Sequence, residues 1–411
     1  MGATRSGAVG TIPTTMTRAA VDEFSRTGYV LTTMDQVAAT AGVTKRTLYK
    51  HVGSKANLLV EVHRGYYTAI LERWSRALDA SEPQEALRAI VTSHVELLGA
   101  EGTAARTVSE SSSYLEEPAA REIRDLYRAC TARMDEALRR CAGIDGARTG
   151  IDPTIAAHLA TGSVLNLHRW YRPDGPLAPN IVAGLQADFL LFGLRLDSDS
   201  SARRRAERLR AGTATMPLDP APAAAILAAA TRLFREKGYH GTTTRELAAA
   251  AGLTPGALYY YAKSKEDLLF RIHQEPTDLS LDAWARLASD PELDPAAAVR
   301  SMVDEYCAIV LGHRDAVAVF SDQMRFLGPD LLEIVGEKRQ RYTDVLTGVL
   351  ARRADTGASG RDPHLAAVMA LASLNSVYRW YEPSTMPAKR LIDTVRRSVM
   401  SGIVGNSSAR S

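Results

Sequence analysis

Cysteine is scarce in this 411-residue sequence, and its three cysteines, Cys130, Cys141 and Cys307, are widely spaced without a CxxC pair. This odd count and this spacing argue against a disulfide framework and against a zinc site. No run approaches the roughly 20 apolar residues that a membrane span needs, and residues 1–16 lack the apolar core of a signal peptide. These absences predict a cytoplasmic protein without a metal and without a membrane partner.

Aromatic residues are also few, at 6% of the chain, and the charges of the two signs are nearly balanced. With 50 basic and 47 acidic residues the net charge is +3, which is too small to indicate nucleic-acid binding by itself. The many Ala, Leu and Arg residues and the lack of alternating apolar runs favour helices, so the predicted fold class is all-α. No P-loop, GxGxxG, HExxH or GxSxG motif is present, and we predict neither an enzyme nor a cofactor.

The sequence matches itself without a gap when it is shifted by 210 residues. Gly28-Tyr29 falls on Gly238-Tyr239, and near the other end of the copy Arg169-Trp170-Tyr171 falls on Arg379-Trp380-Tyr381. Because one offset serves both ends, we interpret the chain as two copies of one whole unit. The length supports this interpretation, since 411 residues exceed one ordinary hydrophobic core.

Each copy opens with the pattern of a helix-turn-helix. In the first copy Gly28 ends a first helix, Thr32 or Thr33 caps a second, Gly42 makes a tight turn and Thr44 caps a short third helix. The third helix of such a motif lies in the major groove with its N-terminal residues at the base edges. The side chains offered there are Lys45, Arg46, Thr47, Tyr49, Lys50 and His51 in the first copy, and Thr254, Pro255, Gly256, Ala257, Tyr259, Tyr260 and Tyr261 in the second.

Residues 42–55 and 252–265 resemble the recognition segment of the TetR family of transcriptional regulators. The resemblance implies two TetR-like units in tandem, each with an N-terminal three-helix DNA-binding domain followed by a helical ligand-binding and dimerisation domain. The family often has Phe where this chain has Val52 and Ala262, and we expect both positions to face the core. The resemblance implies DNA contacts by Thr33, Thr44, Lys45, Arg46, Thr47, Tyr49, Lys50, His51 and Lys55 in the first copy, and by Thr243, Thr254, Pro255, Gly256, Tyr259, Tyr260 and Lys265 in the second.

Six segments follow from the repeat and the resemblance. They are a disordered N-terminus at 1–15, a first DNA-binding domain at 16–63, a first helical regulatory domain at 64–196, a linker at 197–222, a second DNA-binding domain at 223–273 and a second helical regulatory domain at 274–405. We call the two DNA-binding domains the first head and the second head. The last two helices of each copy are expected to form the dimer interface.

These features predict a ligand-responsive repressor that binds double-stranded DNA at the nucleoid. The tandem layout favours an intramolecular pseudo-dimer on an asymmetric operator, because the two recognition helices differ. The alternatives are a homodimer of fusions with four heads, and a helical ligand-sensing or partner-binding protein whose second head no longer binds DNA. The expected effector is a small hydrophobic or acyl-CoA-like molecule. Candidate cavity residues are Trp74, His94 and Tyr114 in the first copy, and Trp284, Tyr306, Phe320, Met324 and Phe326 in the second.

Overall fold

The computed structural model describes residues 12–79, 82–142, 151–196, 221–291, 293–354 and 362–402. Within these ranges the chain is all-α, as predicted, and has no β-strand. None of the helices in the same ranges is long and apolar enough to cross a membrane. Most of the predicted disordered N-terminus (1–11) and most of the predicted linker (197–220) lie outside the described residues.

The first copy forms the helices α1 (Thr14–Thr27), α2 (Met34–Thr40), α3 (Lys45–Val52), α4 (Lys55–Ala77), α5 (Pro83–Ser111), α6 (Ala119–Ala142), α7 (Pro153–Leu165) and α8 (Pro179–Phe192). The sequence placed residues 1–15 in a disordered segment, but α1 already begins at Thr14. The reason is packing, because Ile12 and Met16 are both buried and hold the first turn against the core.

The second copy forms the helices α9 (Ala221–Gly241), α10 (Thr244–Ala250), α11 (Pro255–Tyr261), α12 (Lys265–Ser289), α13 (Pro295–Gly312), α14 (Arg314–Gln323), α15 (Pro329–Ala354), α16 (Pro363–Leu374), α17 (Val377–Trp380) and α18 (Ala388–Ser401). The helix α5 of the first copy corresponds to α13 and α14 together. It leaves helical geometry at Glu101 (φ −135°, ψ 30°), and the second copy breaks at His313 (φ −116°, ψ 30°). Both copies therefore bend the same long segment at nearly the same point.

The chain divides into two compact units that do not coincide with the two copies. One unit contains residues 1–137 and 167–184, and the other contains residues 138–166 and 185–411. The helix α7 and the end of α8 belong to the first copy by sequence. In the structure they are folded with the second copy, inside the second unit.

The first unit is built on the long helix α4, which packs against α5 and α1. Its buried face carries Leu58, Leu59, Val62, His63, Tyr66, Ile70 and Trp74, which recur at the spacing of one helical face. Leu58, Ile70 and Trp74 are completely buried. Because α4 begins within the first head and continues into the regulatory domain, this face joins the DNA-binding domain to the regulatory core.

Within the second unit, α7 packs against α16 and α18. Both α7 and α16 begin with Asp-Pro, and the carboxylates of Asp152 and Asp362 accept hydrogen bonds from backbone amides of the first helical turn. The hydroxyls of Ser163 and Ser373 lie 2.9 Å apart. These serines are separated by 210 residues, the period of the repeat, so equivalent positions of the two copies meet here.

Further contacts surround the serine pair. The imidazole of His158 stacks on the indole of Trp380, with ring centroids 5.1 Å apart and an angle of 13° between the planes. Asp152 forms an ion pair with Arg390. The segment after α8 also binds the end of α18, because the Leu194 amide donates to the Val399 carbonyl at 2.8 Å. Polar and aromatic contacts thus accompany the packing of α7 on the second copy.

Candidate nucleic-acid interface

The local geometry of the first head is that of the predicted helix-turn-helix. The Thr33 hydroxyl accepts a hydrogen bond from the Gln36 amide, and the Gln36 side chain accepts one from the Thr33 amide, which is a capping box. Gly42 has φ 68°, a conformation that glycine adopts without strain. The Thr44 hydroxyl then accepts from the Thr47 amide at 3.1 Å and starts α3. The turn at Gly42 and the cap at Thr44 are as predicted, and the structure identifies Thr33 rather than Thr32 as the cap of α2.

The recognition helix α3 is anchored by its apolar side. Leu48 and Val52 are 0% and 2% exposed, so Val52 faces the core as expected despite replacing the larger Phe. The opposite side is open, and the residues there were all predicted to contact DNA. Exposed or half-buried on this side are Thr44, Lys45, Arg46, Thr47, Tyr49, Lys50 and His51.

The second head repeats this arrangement position by position. Thr243 forms a capping box with Glu246, and Thr254 caps α11 by accepting from the Ala257 amide at 3.2 Å. Pro255 occupies the first helical position, where its missing amide hydrogen is harmless. Leu258 and Ala262 face the core. The predicted contact residues Pro255, Gly256, Tyr259 and Tyr260 are exposed, Tyr260 to 87%.

Lys55 and Lys265 were predicted to contact phosphates, and the structure gives both a second role. The Lys55 ammonium donates to the Val30 carbonyl at 2.9 Å and lies 4.6 Å from the centre of the Tyr29 ring. The Lys265 ammonium likewise donates to the Thr242 carbonyl at 2.7 Å. Partial burial lowers the pKa of both lysines. Each lysine therefore holds the loop before the second helix of its head, and phosphate contact stays a prediction.

Charge distinguishes the two heads most clearly. In the first head Lys45 pairs with Asp35 at 2.9 Å, and this partner raises the pKa of the Lys45 ammonium. The position of Asp35 is taken in the second head by Arg245, which is exposed in the first turn of α10. Arg245 was not among the residues predicted from the sequence, because only the fold shows that its helix α10 packs against α11, a helix without lysine or arginine.

A buried carboxylate supports the first head but not the second. Glu23 on α1 is 6% exposed, accepts a hydrogen bond from the Thr40 hydroxyl at 2.7 Å and pairs with Arg26. The Thr40 hydrogen bond, followed by that from Arg26, lowers the pKa of this carboxyl. The position equivalent to Glu23 in the second head is Leu233, which is also buried. The two heads therefore stabilise the same helix pair by different means.

We expect the stability of the first head to fall at acid pH because of Glu23. A depressed folded-state pKa contributes stability above the ordinary glutamate value of about 4.3, and this contribution is lost as pH falls through the lower folded value. Glu23→Leu, which copies the second head, should remove it. Thermal unfolding of the full-length wild type and of this variant at about pH 7 and about pH 3.5 checks this. The difference between their Tm values removes the contributions of the other titrating groups, because both proteins share those groups. A difference in Tm that stays constant between the two conditions would contradict the assignment.

Half of the candidate cavity residues lie instead where a head meets its regulatory domain. Tyr114 packs on Tyr29 of the first head with ring centroids 5.3 Å apart, and Phe326 stacks on Tyr239 of the second head at 5.1 Å. Phe320 and Met324 also join the core of the second head. Trp74, His94, Trp284 and Tyr306 remain inside the regulatory domains. The sequence could not separate these groups, because aromatic residues serve both purposes.

Two protein families match this chain, and each matches it twice, once in each copy. The family described as bacterial regulatory proteins, tetR family, matches residues 17–62 and 226–272. The family described as tetracyclin repressor-like, C-terminal domain, matches residues 80–194 and 292–403. The chain belongs to the TetR family. It is therefore a DNA-binding transcriptional regulator rather than an enzyme.

Individual TetR relatives align with less than half of the chain. The HTH-type transcriptional repressor KstR2 of Rhodococcus jostii is 28% identical over 180 residues, 43% of this chain and 86% of the repressor. The fatty acid metabolism regulator protein of Bacillus subtilis is 24% identical over 160 residues, 38% of this chain and 81% of that protein. A crystal structure of a tetR-family regulatory protein from Rhodococcus RHA1 is 32% identical and covers 45% of this chain and 98% of its own, with a TM-score of 0.39.

Proposed function

We propose that this protein is a ligand-responsive repressor whose two unlike heads, paired within one chain, bind an operator with two unlike half-sites. The observation that carries the proposal is the contact between Ser163 and Ser373, one repeat period apart. In a symmetric dimer equivalent residues meet at the two-fold axis. A contact of this kind between the two copies of one chain supports a pseudo-dimer, which would act in the cytoplasm at the nucleoid.

Pairing of unlike copies is also supported by a close approach around Gly162. A Cβ added to Gly162 would lie 2.4 Å from the Cβ of Ser376, closer than side chains pack. The equivalent position in the second copy is Ala372, which already carries that atom. Two second copies paired in the same geometry would bring Ala372 against Ser376. The first copy supplies the glycine that this geometry needs, which disfavours a four-headed dimer with like copies paired.

The difference between the recognition helices supports the asymmetric operator. Arg46 can form two hydrogen bonds to a guanine edge, whereas its equivalent, Gly256, has no side chain to offer. Exposed tyrosines in the second head supply hydroxyls for phosphates instead. The relatives named above as a repressor and as a regulator of fatty acid metabolism support repression and a small apolar or acyl-CoA-like effector.

Selection of the DNA fragments that the full-length protein binds tests the proposal. We expect the selected operator to consist of two unlike half-sites. Arg46→Ala should weaken binding by about tenfold to a hundredfold, the value of one good arginine–guanine contact, and should relax sequence preference in one half only. Gly256→Arg should make the second half-site resemble the first. The change is sterically open, because an added Cβ at Gly256 meets no atom within 4 Å.

Further variants and outcomes distinguish this proposal from a four-headed dimer and from a protein whose second head no longer binds DNA. Gly256→Ala adds only a methyl group, without charge or hydrogen-bond donors, and should leave the selected sequence unchanged. A palindromic consensus, altered in both halves by Arg46→Ala, would contradict the pairing of unlike heads. A second half without any base preference, together with full binding by Tyr259→Ala, would instead identify the second head as one that no longer contacts DNA.

A further inference from the structure

Three basic side chains of the second copy come together where the second head meets its regulatory domain. They are His240 at the end of α9, Lys265 at the start of α12 and Arg325 in the turn Met324–Phe326 after α14, and we call them the basic cluster. The centre of the Phe326 ring lies 4.4 Å from the centre of the His240 ring and 4.9 Å from the Arg325 guanidinium carbon. Partial burial, followed by the charges of Lys265 and Arg325, lowers the pKa of the His240 imidazole. The three groups are therefore close enough to act on one another electrostatically.

The basic cluster lies beside the loop that leads into the predicted DNA-contacting side of the second head. The Lys265 ammonium donates to the Tyr239 carbonyl at 2.9 Å and to the Thr242 carbonyl at 2.7 Å, which leaves the third of its three donors for another acceptor. Thr242 directly precedes Thr243, the cap of α10 that is predicted to contact DNA. His240 lies in the same loop and is exposed. A DNA strand that contacts Thr243 would therefore run beside the basic cluster.

The first copy has no basic residue at the positions equivalent to His240 and Arg325. Val30 takes the place of His240 at the repeat period of 210 residues. Ser113 takes the place of Arg325, because the three-residue turns that contain them each end in an aromatic ring packed on the same tyrosine of the head. These two basic groups are thus specific to the second copy.

The acidic residues around these positions differ as well. In the first copy Glu116 follows the turn, and its charge, after the larger effect of burial, raises the pKa of Tyr29. In the second copy Glu266 has the corresponding effect on Tyr239, and its carboxylate accepts the Gly328 amide at 2.5 Å. One carboxylate balances one lysine in the first copy. In the second copy one carboxylate stands against a lysine, an arginine and an imidazole, which leaves an excess of positive charge.

The recognition helix of the second head does not supply such charge itself. The helix α11 contains no lysine or arginine, whereas α3 carries Lys45, Arg46 and Lys50. Affinity for DNA depends strongly on the number of phosphates that cations of the protein neutralise. The basic cluster offers, at the edge of the second head, positive charge that α11 lacks.

We propose that the basic cluster of the second copy binds a backbone phosphate of DNA, so that a turn of the regulatory domain takes part in DNA binding. The inference rests on the proposed function, because it requires the second head to bind DNA. The phosphate accepts hydrogen bonds from the Arg325 guanidinium and the Lys265 ammonium, and a protonated His240 donates a third. The phosphate charge raises the pKa of the His240 imidazole, so DNA binding takes up a proton. The contact is independent of base sequence.

The salt dependence of binding to a random-sequence DNA duplex, measured with the full-length protein, tests this inference. The logarithm of the binding constant falls with the logarithm of the salt concentration, with a slope of about −0.9 for each phosphate neutralised. Arg325→Ser, which introduces the residue of the first copy, should make the slope less steep by about 1, and Arg325→Lys should keep it. Lys389→Ser is the matched control and should leave the slope unchanged. It removes an exposed cation from α18, which packs on α7 and α13.

The pH dependence of the same binding tests the role of His240. Between about pH 8 and about pH 6 the affinity of the wild type should rise more than that of His240→Val, because only the wild type gains the imidazolium charge on binding. The other histidines are common to both proteins, so their contributions cancel in the comparison. An equal rise in both proteins would contradict proton uptake by His240 and its place in the site.

The salt measurements also give the results that would overturn the inference. It is overturned where Arg325→Ser leaves the slope unchanged, or where Lys389→Ser reduces the slope as much as Arg325→Ser does. Inorganic phosphate without DNA distinguishes a free anion from the DNA backbone. A rise in Tm with phosphate that Arg325→Ser abolishes, with the slope for DNA unchanged, would assign the cluster to a free anion. Loss of asymmetry in the selected operator would contradict the proposed function and leave these slopes unaffected, so the two failures are distinguishable.

Discussion

Cysteines introduced together at positions 163 and 373 are expected to form a disulfide within a single chain. The hydroxyls of Ser163 and Ser373 are 2.9 Å apart, and a disulfide joins its sulfurs at about 2.0 Å, so a small adjustment suffices. The bond would close a loop of 210 residues. Chain-entropy estimates give roughly 5 kcal/mol of stabilisation for a loop of this size. Non-reducing electrophoresis with mass measurement checks that the disulfide forms within one chain. Thermal unfolding of the oxidised and reduced forms then measures the stabilisation.

The single variants Ser163→Cys and Ser373→Cys are the controls. Where fusions pair like with like, position 163 faces position 163 of another chain, and a single variant forms covalent dimers. Covalent dimers from either single variant, or from the double variant, would contradict pairing within the chain. Background from native thiols is limited, because Cys130 and Cys307 are buried and Cys141 is half-buried. Oxidation of the unsubstituted protein measures that background.

Gly162→Ala is expected to lower the free energy of unfolding by about 1–3 kcal/mol, the usual cost of overpacking a core. The new Cβ would lie 2.4 Å from the Ser376 Cβ, so either α7 or the segment around Ser376 must move. In an open helical position the same change would stabilise by about 1 kcal/mol, since alanine is the better helix former. Destabilisation therefore reports the close approach itself. Chemical denaturation of the full chain measures it.

Gly184→Ala provides the matched control, because it lies in α8 and an added Cβ there meets no atom within 4 Å. This variant should be slightly stabilised. Ser376→Gly combined with Gly162→Ala should recover part of the loss, and the double-mutant cycle isolates the contact. Equal stabilisation by both glycine substitutions would mean that α7 and the Ser376 region are not packed as described.

The local structure of the heads followed from the sequence because it depends on neighbouring residues. The threonine caps, the glycine turn at Gly42 and the buried side of each recognition helix are set within a few positions of the chain. The burial of Val52 and Ala262 was expected from the resemblance to the TetR family. Such patterns need no knowledge of the rest of the fold.

Features that depend on distant segments did not follow from the sequence. The carbonyls held by Lys55 and Lys265 lie more than 20 residues away in the chain, so both lysines were interpreted only as phosphate contacts. Tyr114 and Phe326 were assigned to a cavity, although they pack against the heads. The difference between Trp74 and Trp284 is invisible in the sequence, because the residues are identical and only their hydrogen-bond partners differ.

The contact between Ser163 and Ser373 has a consequence for how repression depends on the amount of protein. A regulator assembled from separate subunits loses its DNA-binding form on dilution, because assembly varies with the square of the subunit concentration. Two partners on one chain meet at an effective concentration fixed by their connection, independent of how many molecules the cell holds. Operator occupancy should then rise in simple proportion to protein at low levels. A gene controlled in this way would stay repressed by a few molecules per cell and would show no threshold as the regulator is made.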